Sequence, residues 1–82
     1  MDRLRVWWIR NVPSKARYFK VNDVEEAKKK IEELTQEDLK NKLVEDNVGG
    51  LEIFEDGKWS EYYNEDGNDI MQILKEDGQN VA

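Results

Sequence analysis

Apolar and polar side chains alternate near the N-terminus, which is the pattern of a β-strand whose two faces meet different surroundings. Residues 3–10, RLRVWWIR, are rich in β-branched and aromatic residues, and Pro13 follows shortly after them. Residues 16–21, ARYFKV, form a second run of the same kind. The segment NVPSK between the two runs suits a short hairpin loop. The pattern therefore predicts two antiparallel strands.

The period changes from that of a strand to that of a helix after residues 22–23. Asn22 or Asp23 can accept from a backbone N–H of the first helical turn, and a glutamate stands three positions on. Apolar residues fall on one side of this helix and charged residues on the other, so the helix is expected to pack on the sheet. The apolar side consists of Val24, Ala27, Ile31 and Leu34.

Leu39 and Leu43 lie outside the apolar stripe that a straight helix would have. We therefore expect a bend near Thr35, where the sequence TQED resembles a capping box and can begin a second short helix that runs to about Val44. The Gly49-Gly50 step is expected to end this region.

The C-terminal half has the pattern of a hairpin followed by a helix. The segments LEIF and WSEYY flank Asp56-Gly57, the preferred dipeptide of a type I′ turn. Asp66-Gly67 is expected to end the fourth strand, and Asn68 or Asp69 can then cap a closing helix. The predicted apolar stripe of that helix is Ile70, Ile73 and Leu74, its predicted end is Gly78, and residues 79–82 are expected to fray.

The predicted order is ββαββα, in a single α+β domain over residues 1–82. We expect two layers, with a four-stranded, mostly antiparallel sheet and helices mainly on one face. A turn at Asp56-Gly57 would pair Phe54 with Trp59 and Glu52 with Glu61. Two opposed glutamates are unfavourable, and Arg5 or Lys20 on neighbouring strands could neutralise them. The sheet face without helices would then carry an aromatic cluster. Its members, the candidate partner-binding residues, are Trp7, Ile9, Tyr18, Phe54 and Trp59.

Monomeric proteins seldom expose so much aromatic surface. The chain's own helices, a second copy in sheet-to-sheet contact, or a different protein could each cover it. A platform for single-stranded nucleic acid is a weaker alternative, because the carboxylates of WSEYYNEDG stand beside the rings.

Charge is distributed unevenly along the chain, whose net charge is −6. Residues 1–44 carry eleven Lys or Arg and eight Asp or Glu, whereas residues 45–82 carry two and eleven. The acidic half has few cations to offer to phosphates, so nucleic acid is an unlikely partner for it. Its carboxylates form a candidate acidic edge: Glu55, Asp56, Glu61, Glu65, Asp66 and Asp69, with Glu45 and Asp46 nearby in sequence.

The composition offers little material for catalysis. There is no cysteine and no histidine, and the hydroxyl residues Ser14, Thr35 and Ser60 stand beside no plausible base in sequence. NEDGND fails as a calcium loop, because the positions that require carboxylates are occupied by Tyr62 and Ile73. We therefore expect no catalytic residue, no metal site, no cofactor and no small-molecule substrate. Without a signal peptide or an apolar span, a cytoplasmic location is expected.

The segment GLEIFEDGKWSEYYNEDGNDI, residues 50–70, together with VWWIR and RYFKVNDVEEAKKKIEEL before it, resembles small acidic proteins encoded by phages and prophages of low-GC Gram-positive bacteria. Some proteins of this kind carry the label superinfection exclusion. The resemblance implies a phage accessory protein in the host cytoplasm that binds a host or phage protein stoichiometrically. It transfers no catalytic residue.

These observations together predict a non-catalytic protein-binding module that contacts its partner through the aromatic sheet face. Two alternatives stay open. The acidic edge could imitate nucleic acid and occupy a DNA-binding host factor, or the chain could be a structural homodimer with no separate activity.

Overall fold

The computed structural model describes residues 3–79 of the chain, and the side chains of residues 3–76. The elements follow the predicted ββαββα order, and four strands form one antiparallel sheet in the spatial order β2-β1-β3-β4. The predicted α+β class is therefore confirmed. The elements are β1 (Arg3–Arg10), β2 (Arg17–Val21), α1 (Val24–Lys40), β3 (Asn47–Glu55), β4 (Lys58–Glu61) and α2 (Ile70–Gln79).

The β3–β4 hairpin turns at Asp56-Gly57 as predicted. Both residues have positive φ angles, 52° and 79°, which is the conformation of a type I′ turn and the reason for Asp-Gly at this point. The turn fixes the register, in which Phe54 pairs with Trp59 and Glu52 pairs with Glu61. Strand β4 ends at Glu61, two residues earlier than predicted.

Helix α1 begins where its sequence predicts. The Asp23 side chain accepts from the backbone N–H of Glu26 at 2.8 Å and caps the first turn. The predicted bend near Thr35 is wrong, because α1 continues to Lys40 and the Thr35 hydroxyl donates to the Ile31 carbonyl within the helix. No second helix reaches Val44; residues 42–43 form a turn instead.

The bend is unnecessary because the buried stripe of α1 continues through Asp38 rather than through Leu39. Asp38 follows Leu34 by one turn and is buried, whereas Leu39 and Leu43 are 75% and 81% exposed. The leucines that suggested the bend therefore remain at the surface.

The Gly49-Gly50 step lies inside β3. The prediction that this step ends the segment after α1 is therefore wrong. Gly49 pairs with Trp8 and Gly50 pairs with Trp7, and each indole lies over its glycine. A methyl group at Gly49 would overlap the Trp8 ring, and one at Gly50 would stand 2.6 Å from Trp7 Nε1. The two glycines make room for two adjacent tryptophans, one on each face of the sheet.

The core lies between one face of the sheet and the two helices. It contains alternate residues of β1, the apolar stripe of α1 and Ile70 of α2, so both helices cover the same face, as predicted. Asp69 caps α2 by accepting from Gln72 N at 2.9 Å, and α2 continues through Gly78 to Gln79. The rest of the predicted frayed tail, residues 80–82, lies outside the described residues. The buried apolar residues are Leu4, Val6, Trp8, Val21, Ala27, Ile31, Leu34, Leu51 and Ile70.

One carboxylate is buried in this core. Asp38 Oδ2 accepts from Trp8 Nε1 and from Asn47 Nδ2, both at 2.9 Å, and Asp38 Oδ1 forms an ion pair with Arg10 Nε at 2.5 Å. Burial alone raises the pKa of Asp38, but the two hydrogen bonds and the Arg10 charge together outweigh it and leave that pKa below its ordinary value. The ionised carboxylate thus ties α1 to β1 and to the start of β3.

Replacing Asp38 should cost stability in a way that depends on the substituent. Asp38→Ala should lower the free energy of unfolding by about 3 kcal/mol at neutral pH, because it leaves the Trp8 N–H without its acceptor and the Arg10 cation with only the exposed Glu37 carboxylate. Asp38→Asn keeps one oxygen to accept from Trp8 and Asn47 and loses the charged oxygen that pairs with Arg10, so its loss of stability should be smaller than that of Asp38→Ala. Because the folded pKa is lowered, the stabilisation from the charge is present above the unfolded pKa and is lost as pH falls through the folded pKa. Urea unfolding across a pH series measures this, and an Asp38→Asn deficit that stayed constant down to pH 3 would contradict it.

Adding a methyl group at the two glycines should have unequal effects. Gly49→Ala forces the buried Trp8 ring aside and should cost about 2–3 kcal/mol of stability. Gly50→Ala is the matched control, since it makes the same chemical change one residue later and displaces Trp7, which is not in the core. Its loss should be clearly smaller in the same unfolding measurement. Equal losses would show that the indole over Gly49 does not decide the cost.

Candidate functional site

The sheet face opposite the helices, called the open face below, carries side chains from all four strands. The strand register places the five predicted partner-binding residues on this one face. Tyr18 is 53% exposed, and the other four are half-buried. None of the five is sealed in the core. The residues of the open face are Arg3, Arg5, Trp7, Ile9, Tyr18, Lys20, Val48, Gly50, Glu52, Phe54, Trp59 and Glu61.

Arg5 lies at the centre of the open face. Its guanidinium carbon is 3.9 Å from the centre of the Tyr18 ring and 4.1 Å from that of Trp59, so the cation is stacked between two aromatic rings. Its Nε donates to Glu52 Oε1 at 2.8 Å across the β1–β3 pair. Two rings and a carboxylate therefore hold one arginine side chain in place.

A second cation and a pair of rings extend this arrangement. The Arg3 guanidinium lies 4.2 Å from the centre of the Phe54 ring, and Phe54 meets Trp59 edge to face with ring centres 5.3 Å apart. Cationic groups thus cover part of the aromatic surface, which explains why the rings are half-buried although no helix lies over them. A shallow depression of about 290 Å³ remains, lined by Arg3, Leu4, Arg5, Tyr18, Lys20 and Trp59.

Charged residues form a continuous row across the open face. Lys20 pairs with Arg5, Arg5 with Glu52, and Glu52 with Glu61, so the row runs from β2 to β4 with two positive and then two negative side chains. The sequence predicted the unfavourable Glu52–Glu61 pair, and Arg5 compensates its Glu52 member. Within residues 3–76, no cation reaches Glu61.

Glu61 contacts Trp7 instead. The Trp7 Nε1–H donates to Glu61 Oε2 at 3.4 Å, above Gly50. Burial raises the pKa of Glu61; the hydrogen bond from Trp7 opposes this shift, and the charges of Asp69 and Glu52 add to it. Glu61 therefore belongs electrostatically to the open face, although the sequence also placed it on the acidic edge.

The other candidates of the acidic edge divide between two turns. Glu55 and Asp56 lie at the β3–β4 turn, while Glu65 and Asp66 lie in the turn after β4. Since these turns stand at opposite ends of β4, their carboxylates do not form one cluster. Asp69 is occupied as the cap of α2.

The hydroxyl groups of the chain have local structural roles or stand apart. The Ser14 hydroxyl donates to the Asn11 carbonyl and the Thr35 hydroxyl to the Ile31 carbonyl, both at 2.8 Å, while Ser60 is an exposed residue of β4. Within the described residues, no group of three acidic side chains is arranged to hold a metal ion. None of the helices described here is long and apolar enough to cross a membrane.

The sequence pattern predicted the aromatic members of the open face and named Arg5 as one of two cations that could neutralise the Glu52–Glu61 pair. It did not predict the stacking of Arg5 between two rings or the burial of Asp38. The signal for Arg5 was its position on the same alternating face as Trp7, between two strands with aromatic residues. The signal for Asp38 was a carboxylate one turn after Leu34 on an otherwise apolar stripe.

A family model described as Superinfection exclusion gene product 17 matches residues 3–79. The match spans every helix and strand of the structure, including the whole open face. No curated protein and no solved structure matches the chain.

Removing the charge of Glu61 should stabilise the protein at neutral pH. Because the folded pKa of Glu61 is raised, the folded chain retains a proton that the unfolded chain has lost, and the free energy of unfolding falls as pH rises through that window. Glu61→Gln stays neutral and can still accept from Trp7, so it should gain up to about 1 kcal/mol over the wild type at neutral pH, with no gain at acidic pH. Glu55→Gln, at the exposed end of the same hairpin, is the control. A Glu61→Gln gain that did not grow with pH in urea unfolding would contradict this reading.

Proposed function

The chain belongs to the Superinfection exclusion gene product 17 family, and on that premise we propose that it is a phage accessory protein that acts by binding another protein through the open face. The partner is a host or phage protein, and binding is stoichiometric. The observation that carries the proposal is the Arg5 stack between Tyr18 and Trp59, on a sheet face that no helix of the described chain covers.

The residue types of the open face favour protein recognition. Tryptophan, tyrosine and arginine are enriched among the residues that dominate the energy of protein interfaces, because they bury much surface and carry directional polar groups. Here their positions are fixed before any partner arrives, since Arg5 is held by two rings and Glu52. A surface ordered in advance loses less conformational entropy on binding.

Other features of the chain argue for binding without catalysis. The sequence contains no histidine and no cysteine, and the Ser14 and Thr35 hydroxyls donate to backbone carbonyls. Glu61, a half-buried carboxyl with a raised pKa, accepts from the Trp7 N–H. The carboxylates near it already have structural partners, because Glu52 accepts from Arg5 and Asp69 caps α2. A carboxyl with a raised pKa can serve as an acid or base, but it needs a second reactive group within reach.

A location in the host cytoplasm follows from this role. A partner of a phage accessory protein is present there during infection, and a chain without cysteine loses nothing in a reducing compartment.

The proposal predicts that open-face substitutions abolish capture of the partner. Trp7→Ser combined with Trp59→Ser removes two rings from the open face, and retention of a protein from a Gram-positive host extract should fall by at least about tenfold. The matched control is Leu39→Ser combined with Leu43→Ser, which removes two exposed apolar side chains away from the open face and should leave capture unchanged. Circular dichroism of both double variants checks that each is folded before capture is compared.

If the folded tryptophan variant captured the same protein as well as the wild type does, contact through the open face would be refuted. A complex that weakened steeply with salt and was lost on reversing Glu55, Asp56 and Glu65 would favour the acidic nucleic-acid mimic instead. Expression of the same variants in a host challenged with a second phage tests the family's role, since loss of exclusion should follow loss of capture.

A further inference from the structure

The charge row of the open face consists of Lys20, Arg5, Glu52 and Glu61, in that order across the sheet. Within one chain, the side chains at its two ends have no oppositely charged partner among residues 3–76. Its central members satisfy each other, because Arg5 donates to Glu52 at 2.8 Å. Lys20 is exposed and has no ion pair within residues 3–76, and Glu61 has only the Trp7 N–H at 3.4 Å. The two ends lie on opposite edge strands, β2 and β4, with two strands between them.

Lys20 and Glu61 therefore cannot neutralise each other inside one molecule. Three strand spacings separate them, or about 14 Å between backbones. A partner that completes the row must offer a carboxylate opposite Lys20 and a cation opposite Glu61, with the two charges in the middle also reversed.

A second copy of the chain offers that arrangement in one orientation. Consider two open faces packed against each other and related by a two-fold axis that runs parallel to the strands, midway between β1 and β3. This rotation sets β2 of one copy against β4 of the second copy, and β1 against β3 of the second copy. The row is then reversed, so Lys20 faces the second copy's Glu61 and Arg5 faces its Glu52. Rotation about an axis along the row would instead set Lys20 against Lys20 and Glu61 against Glu61. The charges therefore favour the first of these two symmetric arrangements of two copies.

The neighbouring rows fit the first orientation as well. Arg3 pairs with Phe54 in the sheet, and the same rotation sets Arg3 against the second copy's Phe54, again a cation over a ring. Trp7 is set against the second copy's Gly50, the residue of the face that has no side chain. Packed sheets keep their strands within about 30° of each other, so rows near the axis remain opposed despite the twist.

The net charge of the chain does not oppose this contact. None of the −6 net charge lies on the open face, where Arg3, Arg5 and Lys20 against Glu52 and Glu61 give a formal charge of +1. The surplus carboxylates lie elsewhere, including the two turns at the ends of β4. Two copies can therefore approach through the one surface that is close to neutral.

We propose that the open face binds a second copy of this chain about a two-fold axis parallel to the strands, with Lys20 of each copy facing Glu61 of the other. The proposal goes beyond the binding role above and does not depend on it. Since both use the open face, self-association and capture of another protein compete.

The area of the open face limits the contact that two copies can make. Four strands cover about 20 Å across, and the eight residues of β1 cover about 26 Å along the sheet, which gives about 500 Å² per copy. This area lies at the small end of specific interfaces, for which we expect a micromolar dissociation constant.

The test is charge complementation between two variants. Lys20→Glu sets carboxylate against carboxylate at both ends of its homodimer, and Glu61→Lys sets cation against cation, so each variant alone should dimerise at least about tenfold more weakly than the wild type. When the two variants are mixed, every position of the row is opposed by the opposite charge. The equimolar mixture should therefore regain a dimer close in affinity to the wild type, as a heterodimer. Lys29→Glu, an exposed charge reversal on α1, is the control and should dimerise as the wild type does.

Sedimentation equilibrium between about 5 and about 500 µM, a range that spans micromolar association, measures each species. A wild type that stays monomeric throughout overturns the proposal. Single variants that dimerise normally overturn it too, as does a mixture that fails to recover. Partner capture is scored separately with the same proteins, so a folded Lys20→Glu monomer that still captures its partner would leave the binding role standing after the dimer had been excluded.

Discussion

Trp7 and Trp8 lie side by side on β1 but on opposite faces of the sheet, and each covers a glycine of β3. The two-residue period of a strand forces this division, since neighbouring side chains must point to opposite sides. Trp8 becomes the largest fully buried side chain of the core, while Trp7 becomes part of the open face. The rest of the structure depends on the pairing of these two tryptophans with the two glycines. That pairing sets the register of β1 and β3 and places one large aromatic side chain on each face of the sheet.

Each indole N–H donates to a carboxylate, and the surroundings of the two carboxylates differ. Asp38 accepts hydrogen bonds from Trp8 and Asn47 and forms an ion pair with Arg10. These contacts outweigh burial and lower the pKa of Asp38, so its charge stabilises the fold. Burial raises the pKa of Glu61, the charges of Asp69 and Glu52 add to that shift, and the hydrogen bond from Trp7 only partly opposes it. Burial opposes the charge of both carboxylates. For Asp38, two hydrogen bonds and the Arg10 charge outweigh burial, whereas Glu61 has one hydrogen bond and two like charges beside it. The core is electrostatically complete, whereas the open face is not.

That incompleteness links the structure to its proposed role in the Superinfection exclusion gene product 17 family. On the open face, Arg5 is held between Tyr18 and Trp59, while Lys20 and Glu61 at the ends of the row lack opposite charges within the described chain. A host or phage protein and a second copy can both supply those charges. Because they would use one surface, the concentration of the chain would regulate how much of the open face is available to a partner.

Local patterns in the sequence determined the element order, the Asp23 cap, the Asp56-Gly57 turn and the face on which each strand residue lies. They sufficed because alternation, capping and turn conformation each depend on a few neighbouring residues. The straight course of α1, the entry of Gly49-Gly50 into β3, the burial of Asp38 and the stacking of Arg5 between rings were decided by the tertiary structure alone. Each of these depends on which side chain arrives from a strand or helix distant in sequence, and no local pattern contains that partner.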